Sequence, residues 1–224
     1  KVYRMLVSAY ADITFFKGFN FKTTFSPDFM TTDEHRFWNK YHGNGPAYSG
    51  RLDKYHHSDL NYTLNNIVSY ISNLGAKGNL NVSAGSEYWQ STFETLYAGG
   101  KGLQGDFQEL DAASSNFAPG SNTTKETMIS YLGRAEYSYA DRYNFSASIR
   151  TDGSSVFGSE NKWGTFWSAG ASWRVSEESF MQDASWVDNL KLRLSYGTSG
   201  NKAVIGRYAS LGLWTASSDY LYGD

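Results

Sequence analysis

Five aromatic residues carry the plainest chemistry in the sequence: Trp38, Tyr41, Tyr48, Trp89 and Tyr97. Their flat faces stack on sugar or peptide groups, so these positions suit binding rather than reaction. Reactive sets are poorer. Gly100-Lys101-Gly102-Leu103-Gln104-Gly105 has the spacing of a phosphate-cradling loop, but that motif needs a following helix and an acidic residue about 20 positions on. A polar run containing Pro119 follows instead. His56 and His57 are adjacent and would leave opposite faces of a strand. His35 and His42 have no Cys or clear carboxylate cluster beside them, so no metal site is expected. No G-x-S-x-G elbow marks a nucleophile. No catalytic residue, enzyme activity or cofactor is therefore expected. The Asn-x-Ser/Thr triplets at Asn61, Asn81, Asn122 and Asn144 are read as chance.

The elements that hold these residues alternate in polarity. In Tyr143–Arg150, the residues Tyr143, Phe145, Ala147 and Ile149 share one face, and Asn144, Ser146, Ser148 and Arg150 the other. In Leu190–Tyr196, the apolar set is Leu190, Leu192, Leu194 and Tyr196. A period of two marks a strand, because successive side chains leave opposite faces. The same pattern runs through Tyr3–Phe15, Phe19–Phe25, Leu60–Tyr70 (with Asn66 as an exception), Leu80–Tyr88, Ile129–Tyr139 and Trp167–Val175, and more weakly through Arg207–Leu213. On the polar faces lie Arg134, Glu136, Arg150, Arg174, Lys191 and Arg193, which would project into a barrel lumen and towards whatever fills it.

Composition narrows the partner of the apolar face. The chain has 224 residues, no Cys, 17% aromatic residues and a net charge of −2. Near-neutral charge argues against nucleic acid, which needs clustered Lys and Arg. No run of about 18 apolar residues exists to form a transmembrane helix. Transmembrane barrel strands escape that criterion, because half of each strand is polar. The sequence opens on a strand pattern without a signal peptide and reads as an interior segment of something longer.

The connections alternate between short and long. Short ones are expected at Phe16-Lys17-Gly18, at 73–78 (with Gly75 and Gly78 at positive φ) and at Ala140-Asp141-Arg142, with a moderate one at 176–188 capped by Ser176. Long loops are expected at 30–50, 94–125 and 151–163, and Pro27 should end the strand before it. Such parity suits an up-and-down transmembrane barrel with one tight and one elaborate rim. Loops this long are large for a small closed barrel. A plugged transporter of about 22 strands needs roughly 220 residues in strands alone. The expected fold is thus all-β, with this chain supplying eight or nine antiparallel strands of a larger barrel. Asp152-Gly153-Ser154-Ser155 reads as a tight rim turn, with Gly153 at positive φ. Trp163, Trp167 and Trp173 read as aromatic girdle residues near the strand ends.

Five ordered motifs then match a known family. Tyr131–Arg134, Asp152–Gly158, Lys162–Gly164, Trp173–Glu178 and Leu192–Asn201 resemble the SusC/RagA-like TonB-dependent outer-membrane transporters. Lys162 stands where Arg is commoner, and Trp167 where Pro is commoner. The resemblance implies a 22-stranded barrel with an N-terminal plug, in a bacterial outer membrane and surrounded by its lipid. It implies TonB as the energy-coupling partner, a SusD-like surface lipoprotein over the mouth, and oligosaccharides or peptides as cargo. It also admits a dimer of transporter–lipoprotein pairs. All 224 residues are expected to be barrel, without plug or TonB box. Two other readings stand beside it: a soluble or surface glycan-binding β-sandwich, and a barrel enzyme, for which no nucleophile–base pair is offered.

Overall fold

The computed structural model describes residues 1–75, 77–158, 162–181 and 186–201. They form one antiparallel sheet. Strands β1 (Val2–Leu6) and β2 (Ala9–Phe16) both pair with β3 (Phe19–Trp38). After them come β4 (Arg51–Leu74), β5 (Gly78–Leu103), β6 (Ala113–Tyr139), β7 (Tyr143–Ser154), β8 (Trp163–Arg174) and β9 (Lys191–Gly197), each hydrogen-bonded to the one before. The result is an up-and-down meander with no second sheet among the described residues. It is a sector of barrel wall, and a sandwich is not what these residues form.

Pro27 does not end its strand, which continues to Trp38 and pairs Pro27 with Tyr62 on the far side. Its effect falls on the near side. Val7 donates to the Pro27 carbonyl at 3.1 Å, but Pro27 has no N–H to return. The ladder breaks there, between Leu6↔Asp28 and Ala9↔Phe25. β1 and β2 are thus two halves of one wall strand.

The register sorts the side chains by face. One row crosses the sheet as Ile13, Phe21, Val68, Ala84, Gly133, Ile149 and Trp167. A neighbouring row runs Phe25, Leu64, Tyr88, Ile129, Gly153 and Trp163. The exception Asn66 lies on this apolar face and accepts a 2.9 Å hydrogen bond from Thr23, so the two polar groups satisfy each other. Opposite lie Asp12, Asn20, Ser83, Arg134, Ser146 and Ser172. The apolar face is open: Ile149 is 54% and Leu194 79% exposed. Among the described residues, the only buried apolar side chains are Leu52, Leu103, Val156 and Val175. This wall lacks a core of its own, and its apolar face must meet an apolar surrounding.

That face has the height of a bilayer. Trp163, stacked on Tyr131, and Trp173 lie at opposite ends of β8. The ten residue steps from one to the other span about 33 Å along the strand, or about 25 Å along the membrane normal at a tilt of about 40°. An outer-membrane barrel has an apolar band of about that height. Trp167 lies mid-band opposite Ile149 and tilted against Tyr196, not at a strand end as expected.

All tight turns fall at one rim. Gly18 adopts φ 84°, and a side chain there would run into the Ile71 carbonyl. Gly75 adopts φ 75°, whereas Gly78 already belongs to extended β5. Ala140 and Asp141 both adopt left-handed φ, at 53° and 55°. Between β8 and β9 lie the 3-10 turns Val175–Glu177 and Ser179–Met181. The first is preceded by Arg174 and has no side-chain cap, so Ser176 is not the cap expected. Glu178 gathers this corner, accepting from the Tyr143 hydroxyl at 2.5 Å, Trp173 Nε1 at 3.0 Å and Arg142 at 3.3 Å.

The other rim differs from expectation. The connections there are 39–50, 104–112 and 155–162, shorter than the loops expected at 30–50, 94–125 and 151–163. β3, β4, β5 and β6 run for 20, 24, 26 and 27 residues, where about 9–11 cross a bilayer. Above the row Phe29↔Leu60 the apolar face turns polar, with Asp33 bonded to His56 at 2.7 Å. The wall stands proud of the band at this loop rim. Asp152 and Gly153 lie inside extended β7 rather than in a turn. Gly153 is needed because a β-carbon there would come within 2.9 Å of the Trp163 ring. The strand-like stretch Arg207–Leu213 lies outside the described residues.

Candidate functional site

The polar face above the apolar band gathers one cluster, around Arg51. Arg51 begins β4, opposite Trp38 at the end of β3 and Lys101 near the end of β5. Asp53 is two residues on, and strand periodicity puts it on the same face. Arg51 Nε donates to Asp53 Oδ1 at 3.0 Å and Nη2 to Oδ2 at 2.8 Å. The Tyr97 hydroxyl donates to the same Oδ1 at 3.4 Å. The guanidinium carbon lies 5.2 Å from the Trp38 ring, 5.4 Å from Tyr48 and 4.8 Å from Phe117. Aromatic faces attract a cation at such distances.

Burial makes this cluster rigid. Asp53 is 1% exposed and Arg51 27%, so the carboxylate has exchanged water for one bidentate partner. The hydrogen bond to Asp53 raises the Arg51 pKa above its already high ordinary value. Burial, followed by the Asp53 charge, pushes the Tyr97 phenol up, which keeps it protonated as a donor. A ladder irregularity between Tyr97 and Gly99 re-aims β5 here. The loop 39–50 is pinned to the cluster through Tyr48, and Leu103 donates to the Ser49 carbonyl at 3.0 Å. The Gly100–Gly105 run serves this closure: Gly102 and Gly105 adopt φ 69° and 66°, and Gly102 donates to the Gly50 carbonyl at 3.0 Å.

Below the cluster an aromatic column descends the same face. The Tyr55 and Tyr97 rings are 4.8 Å apart. Tyr55, His57 and Phe93 follow as near-parallel rings, with centroids separated by 6.1 and 6.0 Å. His57 Nδ1 is buried there without a partner.

Three of the five aromatic residues singled out in the sequence, Trp38, Tyr48 and Tyr97, therefore meet around Arg51 and Asp53. The other two do not. Tyr41 lies in the loop, 63% exposed, beside His42 and Lys40. Trp89 faces the same side as Tyr97 but pairs with Thr63, eight residues or about 26 Å further down β5. Sequence reasoning missed Arg51, Asp53, Tyr55, Phe93 and Phe117. Arg-x-Asp spacing was the available signal, because residues i and i+2 of a strand share a face.

The charged residues of the polar face divide into two groups. Arg134 binds Glu136. Arg150 binds Glu87 at 2.8 Å, Asp152 at 2.6 Å and Ser130 at 3.0 Å, tying β5, β6 and β7 together. Arg174, Lys191 and Arg193 pair with no carboxylate among the described residues. Of the histidines, His56 and His57 leave opposite faces, and no metal-holding group of His, Asp or Glu exists among the described residues.

A single open antiparallel sheet with a bilayer-high apolar band defines a transmembrane barrel wall, and comparison with known proteins agrees. Residues 4–223 match the model of the family described as TonB dependent receptor-like, beta-barrel, and the chain belongs to that family. It is 33% identical over 184 residues to the TonB-dependent receptor SusC of Bacteroides thetaiotaomicron, covering 82% of this chain and 17% of SusC. It is 31% identical to the TonB-dependent receptor P26 of Formosa agariphila, covering 97% of this chain and 22% of P26. Among solved structures, the RagAB peptide importer in its open-open state superposes with a TM-score of 0.84 at 26% identity, covering 92% of this chain and 23% of that one. The chain thus spans about a fifth of the length of these relatives, and it is a SusC/RagA-like segment.

Proposed function

We propose that this wall segment belongs to an outer-membrane importer, driven through TonB, that takes up oligosaccharides or peptides together with a SusD-like lipoprotein over the loop rim. The observation that carries the reading is the placement of the Arg51 cluster. It sits on the polar face, at the rim that stands above the apolar band, where a ligand arriving from outside would first meet the lumen. Trp38, Tyr48 and Tyr97 present ring surface there, and Trp89 lies further along the same face. Tyr41 extends from the loop towards solvent and is the weakest contact of the five. No nucleophile–base pair accompanies these rings, so the cluster recognises its ligand without transforming it. Plug and TonB box belong to the remaining length of such a transporter, and paired transporter–lipoprotein units are its proposed assembly.

The test is uptake of labelled oligosaccharides and peptides by cells carrying the full-length transporter, with and without TonB. Uptake should require TonB. Trp38→Ala should reduce it about tenfold, as expected for losing roughly 1.4 kcal/mol of stacking, while Tyr41→Ala should change it less. TonB-independent uptake, or undiminished uptake by Trp38→Ala, would remove the proposal.

A further inference from the structure

The outward face changes chemistry where the apolar band ends at the loop rim. Strands β6, β7 and β8 meet there in the row Ile129, Gly153 and Trp163. With no side chain on Gly153, the Trp163 ring leans over β7. A hollow of about 310 Å³ opens beside it, lined also by Thr127, Ser155 and Lys162. The lower part is apolar, with Trp163 53% exposed and stacked on Tyr131. The upper part supplies donors. Ser155 N–H donates to the Thr127 carbonyl at 2.9 Å, and Thr127 N–H donates to Ser155 Oγ at 3.0 Å. That reciprocal pair fixes both residues and leaves the Ser155 hydroxyl proton to donate elsewhere. Among the described residues, no carboxylate lines the hollow.

An ammonium and two hydroxyls above an apolar floor suit an amphiphile with an anionic head. Separate point donors match the three outward oxygens of a phosphate, whereas a planar carboxylate is matched better by the fork of an arginine. Height selects the source, because the hollow lies on the lipid-facing side where the band gives way to headgroups. The tail has a place too. Six residues further down the same three strands, Ala135, Ala147 and Ala169 line a second, apolar hollow of about 520 Å³. Six residues are about 20 Å along the strand, or about 15 Å of depth at a tilt of about 40°. That is half the hydrocarbon thickness of a bilayer, about 30 Å. An acyl chain descending from the first hollow crosses exposed Ile149 and ends in the second.

We propose that the Thr127–Ser155–Lys162 hollow holds the phosphate headgroup of one outer-leaflet lipid, whose acyl chain lies down the wall towards Ala147. A girdle of rings touches lipid without preference, but this site selects a headgroup. The proposal rests on the importer reading above only for the leaflet that the loop rim faces.

Native mass spectrometry of the full-length transporter, purified and stripped of lipid in detergent, tests this with three probes. They are dioleoyl phosphatidic acid, dioleoylglycerol and inorganic phosphate. The first phosphatidic acid should bind about tenfold more tightly than dioleoylglycerol, which has the same chains and no phosphate, and excess inorganic phosphate should not displace it. Lys162→Glu should weaken that binding about tenfold, since one cation near a membrane surface is worth about fivefold and reversal counts twice. Thr127→Val, nearly isosteric, should weaken it several-fold. Lys17→Glu, in the turn between β2 and β3 at the other rim, should leave it unchanged. Each variant is compared as a folded, heat-modifiable barrel. Equal affinity for the two lipids, displacement by inorganic phosphate, equal losses in Lys17→Glu and Lys162→Glu, or no loss in Thr127→Val would overturn the proposal. TonB-dependent uptake by the unmodified transporter measures the importer reading separately, so either can fail alone.

Discussion

Asp53 occupies the space that a side chain at Gly99 would need: a β-carbon there would lie 2.7 Å from Asp53 Oδ1 and 2.8 Å from the Phe117 ring, and would collide with the Tyr97 hydroxyl. The glycine is the floor of the rim cluster, and it lets a buried carboxylate, a phenol and a phenyl ring converge on one guanidinium. Gly99→Ala should therefore push Asp53 off Arg51. Removing a buried carboxylate's partner costs about 3 kcal/mol, and ligand affinity at the rim should fall more than tenfold. The barrel should still assemble, because Gly99 lies above the apolar band. Titrating labelled ligand into purified transporter measures the loss, and unchanged affinity would show that the cluster does not need its floor.

The loop 104–112 is fastened to the wall by Lys54, whose ammonium meets Glu109 Oε2 at 2.6 Å. That hydrogen bond, followed by the charge of Lys54, holds the Glu109 carboxyl below its ordinary pKa. A depressed carboxylate contributes fully above its unfolded pKa and loses the contribution as pH falls through the folded value. The fastening should accordingly persist at neutral pH and release only below the ordinary glutamate range. The protection of 104–112 against hydrogen exchange, relative to the unstructured rate at the same pH, should fall in acid and stay flat above it. A Glu109→Gln variant should show the low acid protection at every pH. Release on raising the pH would contradict the sign.

The turn between β6 and β7 keeps Ala140 and Asp141 at left-handed φ. Each costs a non-glycine residue about 1 kcal/mol. Ala140→Gly should remove that strain, offset in part by the greater freedom glycine has when unfolded. The expected outcome is a urea midpoint equal to or slightly above that of the unmodified barrel. A clear drop would mean that the alanine methyl group has a packing role.

The faces of the wall were legible in the sequence wherever the wall crosses the apolar band. Ile13, Phe25, Leu64, Ile129 and Leu194 fall on the face that alternation assigned them. Legibility failed above the band for a physical reason. From Thr31 to Arg36, and again from Thr123 to Lys125, both faces are polar, so the period-two signal vanishes although the hydrogen-bond ladder continues. Those stretches read as loop and are strand. The site was half legible. Ring type pointed to Trp38, Tyr48 and Tyr97, but their convergence depends on Arg51 and Asp53, whose partnership shows only once the strand is known to reach them. The same-face spacing of Arg51 and Asp53 recurs at Glu34 and Arg36, Arg134 and Glu136, and Arg150 and Asp152, so alternating charge two apart is itself a usable mark of strand.

The most direct test of the wall is the solvent on either side of β9. Nitroxide labels placed singly at 192, 193, 194, 195 and 196 in the reconstituted transporter report collision with oxygen, which concentrates in lipid, and with a polar nickel chelate, which stays in water. Labels at Leu192, Leu194 and Tyr196 should favour oxygen, and those at Arg193 and Ser195 the chelate, with a period of two. Equal accessibility along the strand, or chelate access at Leu194, would contradict a lipid-facing wall.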